Sequence, residues 1–277
     1  MKMKYIKELV LASALFVSIM GFAQKDFQGI AYYQSNTNVD TQGFGGGDMD
    51  PERQKRMVER MKEMLDKTYT LTFNQIESFY KVEETENSGG GGGRWRGMMN
   101  SFSNGPQYKN IKAKQLIQDQ EFFGKQFLIK DELPNLDWKM TNESKKIGEY
   151  MCLKATAKRT VPNVGPGNFR RRPNADGQME EPAPTKEVEV EAWYTLQIPI
   201  NQGPGDYWGL PGLILEVTVD RTTLYCSKIV MNPAEKVAIE APSKGKEISR
   251  ADYDDLVKKK MEEMRSQFSE RAGDRRF

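Results

Sequence analysis

The chain has 277 residues, with 41 Lys and Arg against 39 Asp and Glu, and no histidine. Without an imidazole, Ser-His-Asp and Cys-His catalysis, His-relayed proton transfer and the commonest zinc sites are excluded, because each needs a group that titrates near neutral pH. The near-balanced charge gives no general electrostatic attraction to nucleic acid or to an anionic membrane surface.

At the N-terminus, Lys2, Lys4 and Lys7 precede an apolar run over residues 9–20, and Gly21 and Ala23 follow it. Basic, apolar and small-residue segments in that order are those of a secretory signal peptide cut after Ala23. The run reaches about fourteen residues at Phe22, short of the roughly 20 that span a bilayer. Cleavage removes three Lys and one Glu, leaving 38 residues of each sign. The expectation is a periplasmic or extracellular protein with no transmembrane segment after signal cleavage. Residues 24–248 then form one β-rich domain, and residues 249–277 a C-terminal helix and frayed tail.

Residues 27–34 read as an opening strand, and a glycine-rich loop follows at residues 43–47. Asp50-Pro51 suits a helix start, and Met57, Met61, Met64 and Leu65 recur at helical spacing, predicting a helix that ends near Lys67. Residues 69–73 and 78–82 are β-prone and sit close enough for an antiparallel hairpin. Residues 86–106, with five consecutive glycines, read as an exposed loop, and residues 160–186, rich in Pro, Gly, Arg and Asn, as a disordered insertion.

Between these loops, residues 115–120, 125–130, 138–142 and 150–158 are short runs broken by Gly, Pro or Asn, the pattern of an antiparallel meander. The cleanest alternation joins Val188, Val190, Ala192, Tyr194, Leu196, Ile198 and Ile200, with Glu187, Glu189, Glu191 and Trp193 on the opposite, polar face. Residues 213–219 and 222–231 predict a hairpin across Asp220-Arg221. Ser249 and Asp252 form a capping box at the start of the closing helix. The fold class is therefore mainly β: a single curved antiparallel sheet or half-open barrel of about eight to eleven strands, carrying one or two packed helices.

Cys152 and Cys226 both fall in strand-like stretches. In an oxidising compartment they pair if their Cα atoms lie within about 7 Å; otherwise they are free thiols in the sheet. Met57, Met61 and Met64, with Met98 and Met99, are the thioethers a soft metal such as copper would need, although at helical spacing methionines also simply pack a core. Glu187, Glu189 and Glu191 share a strand face, the raw material of a carboxylate-dependent hydrolase or of a solvated edge. No cofactor motif is present, and residues 89–93 lack the Gly-Lys-Ser/Thr of a phosphate loop.

The most specific signature runs from Tyr207 to Val217, with Pro211 and Gly212 fitting the centre of a type II turn. Through Gly209-Leu-Pro-Gly-Leu-Ile214 the chain resembles the GLPGLI family. Tyr150-x-Cys152-x-Lys154-Ala155, Ala192-Trp-Tyr-Thr195, Ile198-Pro-Ile200, Gly203-Pro204 and Tyr207 fit the family's pattern in its order. The resemblance implies an exported protein of Bacteroidetes-type bacteria, often found alongside TonB-dependent outer-membrane receptors, and it carries no catalytic residues. A fold similar to the periplasmic lipoprotein carriers is expected. The expected role is a non-enzymatic envelope binding or accessory protein, contacting an apolar ligand or an outer-membrane transporter through Trp193, Tyr207, Trp208, Leu210 and Pro211. Trp193 enters that set because an aromatic ring on a polar strand face commonly marks a contact surface.

Overall fold

In a computed structural model, residues 27–38, 50–83, 104–162, 185–235 and 237–273 are described. The expected signal peptide, the residue 43–47 loop, Met98, Met99 and nearly all of both long insertions lie outside them. The strands are β1 (Gln28–Thr37), β2 (Thr68–Asn74), β3 (Glu77–Val82), β4 (Gln107–Asn110), β5 (Gln115–Phe122), β6 (Lys125–Glu132), β7 (Lys139–Ile147), β8 (Tyr150–Pro162), β9 (Thr185–Thr195), β10 (Leu213–Val219), β11 (Thr222–Met231) and β12 (Lys246–Ile248). Helix α1 spans Pro51–Leu65 and α2 spans Arg250–Gly273.

All twelve strands belong to one open sheet, in the order β12-β6-β5-β4-β3-β2-β1-β11-β10-β9-β8-β7. Pairing is antiparallel throughout except at β12, which joins β6 in parallel and makes the sheet mixed. Two meanders, β1 to β6 and β7 to β11, are sewn together where β1 pairs with β11. The fold class expected from sequence is thus observed, with one strand more than anticipated at the upper end.

Curvature follows from chain length alone. Strands β6 and β7 stand ten places apart in the sheet order, about 48 Å across a flat sheet at ~4.8 Å per strand. The connection from Glu132 to Lys139 is seven peptide steps, which reach at most about 25 Å. The sheet must therefore curl until its distant strands approach. Two indole bonds pin that short connection: Trp208 Nε1 donates to the Pro134 carbonyl at 2.5 Å, and Trp138 Nε1 donates to the Trp208 carbonyl at 2.8 Å.

Inside the curl, Ala31, Tyr33, Leu71, Phe73, Leu213 and Leu215 pack as the central core. Further along the same face, on β8 to β10, Ala155, Ala157, Val190, Ala192, Tyr194, Ile214 and Val217 form a second cluster with Leu136, Trp138 and Tyr207. Because both faces are covered, Trp193, Tyr194 and Thr195 are all buried in succession. A half-buried alternation cannot continue under those conditions, and β9 ends at Thr195 instead of running to Ile200; Leu196 turns outward.

Local signals hold at both helices. Asp50 caps α1 by accepting from the Glu52 amide at 3.3 Å. In the capping box of α2, the Asp252 amide donates to Ser249 Oγ at 3.1 Å, and that hydroxyl donates to Asp252 Oδ2 at 2.7 Å. The first turns of α2 seat Tyr253 between Phe122 and Phe127, edge-on at centroid distances of 5.8 and 5.9 Å. No helix among the described residues is long and apolar enough to cross a membrane.

Candidate functional site

Strands β9 and β10 are antiparallel neighbours, yet residues 196–212 between them make a long excursion through the curl. This strap covers the polar part of the inner face. Strand register places Ser78 and Tyr80 of β3, Gln107 and Lys109 of β4, and Leu116, Gln118 and Gln120 of β5 on that face. Six of these seven are polar in a region where apolar side chains are the rule. Their satisfaction comes partly from each other, since Gln107 Nε2 donates to Gln118 Oε1 at 3.2 Å and Gln118 Nε2 to Gln120 Oε1 at 2.7 Å.

Arg250 of α2 donates to Gln118 and the Gly105 amide to Gln120, and the strap adds three polar anchors on distant strands. Ser78 Oγ donates to Gln202 Oε1 at 2.9 Å. Lys109 Nζ donates to the Gly203 carbonyl at 2.7 Å and the Tyr207 carbonyl at 2.9 Å. Arg159 of β8 grips Asp206 with both nitrogens, at 3.0 and 2.5 Å, and lies 5.5 Å from the Tyr207 ring centroid. The bidentate geometry is the strong form of this pairing. The strap thereby ties β3 and β4 to β8 across the curl.

Lys109 is only 1% exposed. Burial drives its ammonium down from the usual 10.5 to about 7, opposed by the charge of Asp206. For Asp206 itself, burial acts to raise the carboxyl, but the charge and hydrogen bonds of Arg159, with help from Lys109, hold it below the ordinary carboxylate range. Burial also pushes the Tyr80 phenol well above its usual value, with the Tyr69, Tyr207 and Asp206 charges adding to the effect. Among the described residues, Tyr80 Oη and Gln202 Nε2 find no hydrogen-bond partner although both are buried, a rare and costly condition for polar atoms.

The residues singled out from sequence separate into two groups. Tyr207 and Trp208 are half-buried and Pro211 is exposed. Leu210 is 0% exposed and belongs to the second cluster, and Trp193 is 7% exposed. The expectation of Trp193 as an exposed ring is therefore corrected. Lys145 Nζ sits 4.3 Å and Lys154 Nζ 5.7 Å from its ring centroid, and its indole nitrogen donates to Glu191 at 2.9 Å. The aromatic ring among the glutamates is a platform for lysines from β7 and β8.

The expected type II turn at Pro211-Gly212 is corrected as well. That turn needs positive φ at its third residue, and Gly212 has none; Gly209 does, at +93°. Gly212 is required for a different reason: a Cβ there would lie 2.0 Å from the Thr195 carbonyl oxygen. The two cysteines considered for a disulfide are free. Strands β8 and β11 are separated by β9 and β10, about 14 Å by strand spacing, beyond the reach of a bridge. Burial raises Cys152 to about 11 and Cys226 to about 12.

Glu187 pairs with Lys158 at 2.7 Å and Glu191 with Lys154 at 2.9 Å, so cross-strand lysines occupy two of the three glutamates. Met57 and Met61 are half-buried on α1, whereas the Met64 side chain lies outside the description. Among the described residues, no three His, Cys, Asp or Glu side chains converge as a metal would require.

A surface feature that the sequence reading did not select lies at the free edge beside β7. Met140, Met151 and Leu196 are 54%, 56% and 53% exposed. Met140 pairs with Ala155 on β8, so alternation puts Met140 and Met151 on the face of the second cluster. Leu196 is brought alongside by its neighbour Gln197, whose Oε1 accepts from the Met151 amide at 2.8 Å.

A family model described as a protein of unknown function (Porph_ging) matches residues 138–216. The matched stretch holds the exposed patch, the Arg159–Asp206 pair and the whole strap. Comparison with curated proteins returns no match. Two solved structures of PNGF-II, in C2 and P21 space groups, superpose with TM-scores of 0.48 and 0.47 at 14% identity, over 83% of this chain. The chain covers about a third of the PNGF-II chains, 32% and 33%.

Proposed function

We propose that this chain is an exported, GLPGLI-type accessory protein of the cell envelope that binds a protein of the outer membrane and performs no catalysis itself. The N-terminal signal-peptide pattern and the residues that resemble the GLPGLI family support export and the family assignment. The observation that carries the binding role is the patch of Met140, Met151 and Leu196, each more than half exposed, at the open edge of the sheet. Met151 and Leu196 stand side by side, with Met140 beside Ala155, four residues further along β8 and roughly 13 Å away; large apolar side chains exposed along one rim favour contact with a partner over solvation.

An apolar small ligand has less to support it, because side chains of the strands and strap pack the concave face where a carrier would hold its cargo. The patch is flanked by Lys139 and Lys146, both exposed on β7, so a partner surface with apolar and acidic groups is the better complement. The test is affinity capture from detergent-solubilised envelope fractions with the wild-type chain and with the double variant Met151→Ser, Leu196→Ser. The proposal expects an integral outer-membrane protein that the wild type retains and the variant loses at least tenfold. Equal capture by both chains, or capture of no membrane protein by the wild type, overturns it.

A further inference from the structure

Lys109 is a buried amine held by main-chain carbonyls alone. Its Nζ has two acceptors, the Gly203 and Tyr207 oxygens, both in the strap. Two N–H donors are what a neutral amine offers, whereas an ammonium carries three. No carboxylate lies within ion-pairing distance of it among the described residues; the nearest facing acid, Asp206, is committed to Arg159 at 2.5 Å. Other groups facing this region are Tyr80 from β3 and Tyr207 from the strap, while β5 presents Leu116 and Gln118, neither of which titrates.

We infer that the strap of residues 196–212 is a proton-coupled lid: it closes over a neutral Lys109, and its opening takes up a proton on that amine. The inference stands on the strap contacts and does not depend on which partner the exposed patch binds.

The sign follows from linkage. When the strap lifts, Lys109 meets water and regains an ordinary lysine affinity for protons; when it closes, burial lowers that affinity. Between the two values, each unit fall in pH favours the open form by about tenfold, because one proton is bound on opening. Below about 7 the closed form is protonated too, and the dependence levels off. Opening exposes Ser78, Gln107, Lys109 and Gln118, a floor rich in hydrogen-bond donors and acceptors, and frees Gln202 of the strap itself. The unpartnered Tyr80 Oη lies on the covered face and Gln202 Nε2 within the strap, so the closed state leaves polar groups that solvent would satisfy.

Amide exchange of the full chain tests this between pH 6 and 9, read at Tyr207 and Gly209, whose amides bond to the Pro204 and Asn201 carbonyls within the strap. Uncoupled opening makes exchange accelerate about tenfold per pH unit, following the intrinsic chemistry. The lid predicts that strap exchange is nearly level from pH 7.5 to 9 and accelerates normally only below about pH 6.5. Amides of α1 in the same sample should accelerate throughout, and strap amides should exchange faster than those of the β1–β11 ladder. Lys109→Met should restore the tenfold-per-unit rise in the strap. Acceleration of wild-type strap amides in step with α1, or strap exchange no faster than the β1–β11 ladder, overturns the inference without reference to the variant.

Discussion

Replacing Gly212 with alanine probes the turn that begins β10. The added Cβ would stand 2.0 Å from the Thr195 oxygen and 2.6 Å from its carbon, more than 1 Å inside normal contact. The obstacle is backbone, and Thr195 is fixed by its pairing with Leu213. Relief therefore requires β9 and β10 to separate locally, threatening the bonds from the Leu213 amide to the Ile198 oxygen at 2.9 Å and from the Ile214 amide to the Gln202 oxygen at 3.0 Å. Overpacking costs about 1–3 kcal/mol, and each weakened hydrogen bond adds about 1 kcal/mol, so the expected loss is about 3–5 kcal/mol. At roughly 2–4 °C per kcal/mol for a domain of this size, Tm should fall by about 10 °C. Gly124→Ala is the control: φ there is +75° with no atom within 4 Å of the new Cβ, so its cost is the left-handed penalty of about 1–2 kcal/mol. Thermal and urea melts of the three proteins decide the matter. A Gly212→Ala loss no larger than that of Gly124→Ala would refute the close-approach argument.

Two further outcomes follow from the same packing. With thiols at about 11 and 12, roughly one in a thousand Cys152 side chains is thiolate at pH 8, against about a quarter for an ordinary cysteine. Ellman's reagent should react at least 100-fold more slowly with the native protein than with the chain in denaturant, where both thiols react without reductant; absence of thiols in denaturant would show a disulfide instead. Tyr253→Ala removes the ring that docks α2 between Phe122 and Phe127 and should cost about 3 kcal/mol, with amide protection in the first turns of α2 falling. Unchanged protection there would mean that the helix is held by other contacts.

Where a local rule decides structure, the sequence was enough. Asp50 and the Ser249/Asp252 box started both helices, and the short two-residue links at residues 75–76 and 220–221 closed hairpins between clear β-prone runs. The elements missed were those without local pattern. Strand β4 reads Gln-Tyr-Lys-Asn and β12 reads Lys-Glu-Ile; each is short, polar and made a strand by its neighbours alone. Trp193 was misjudged because alternation with three glutamates predicts a solvated face, and nothing local reveals that Lys145 and Lys154 would cover the ring. Lys109 was invisible for a similar reason: a lysine is exposed by default, and its strap partners lie 94 and 98 residues further along the chain. The strap is nevertheless the part of the site that its motif did disclose, since the glycines that let it turn and approach β9 are the ones in the Gly209–Ile214 signature.

The most direct test of the envelope-binding account is photocrosslinking in intact cells, with a benzophenone side chain placed at position 151 and, separately, at position 124, on the remote β5–β6 turn. The account predicts a specific adduct with an outer-membrane protein from position 151 and none from position 124. Adducts of equal yield from both positions, or none with any outer-membrane protein from position 151, would contradict it.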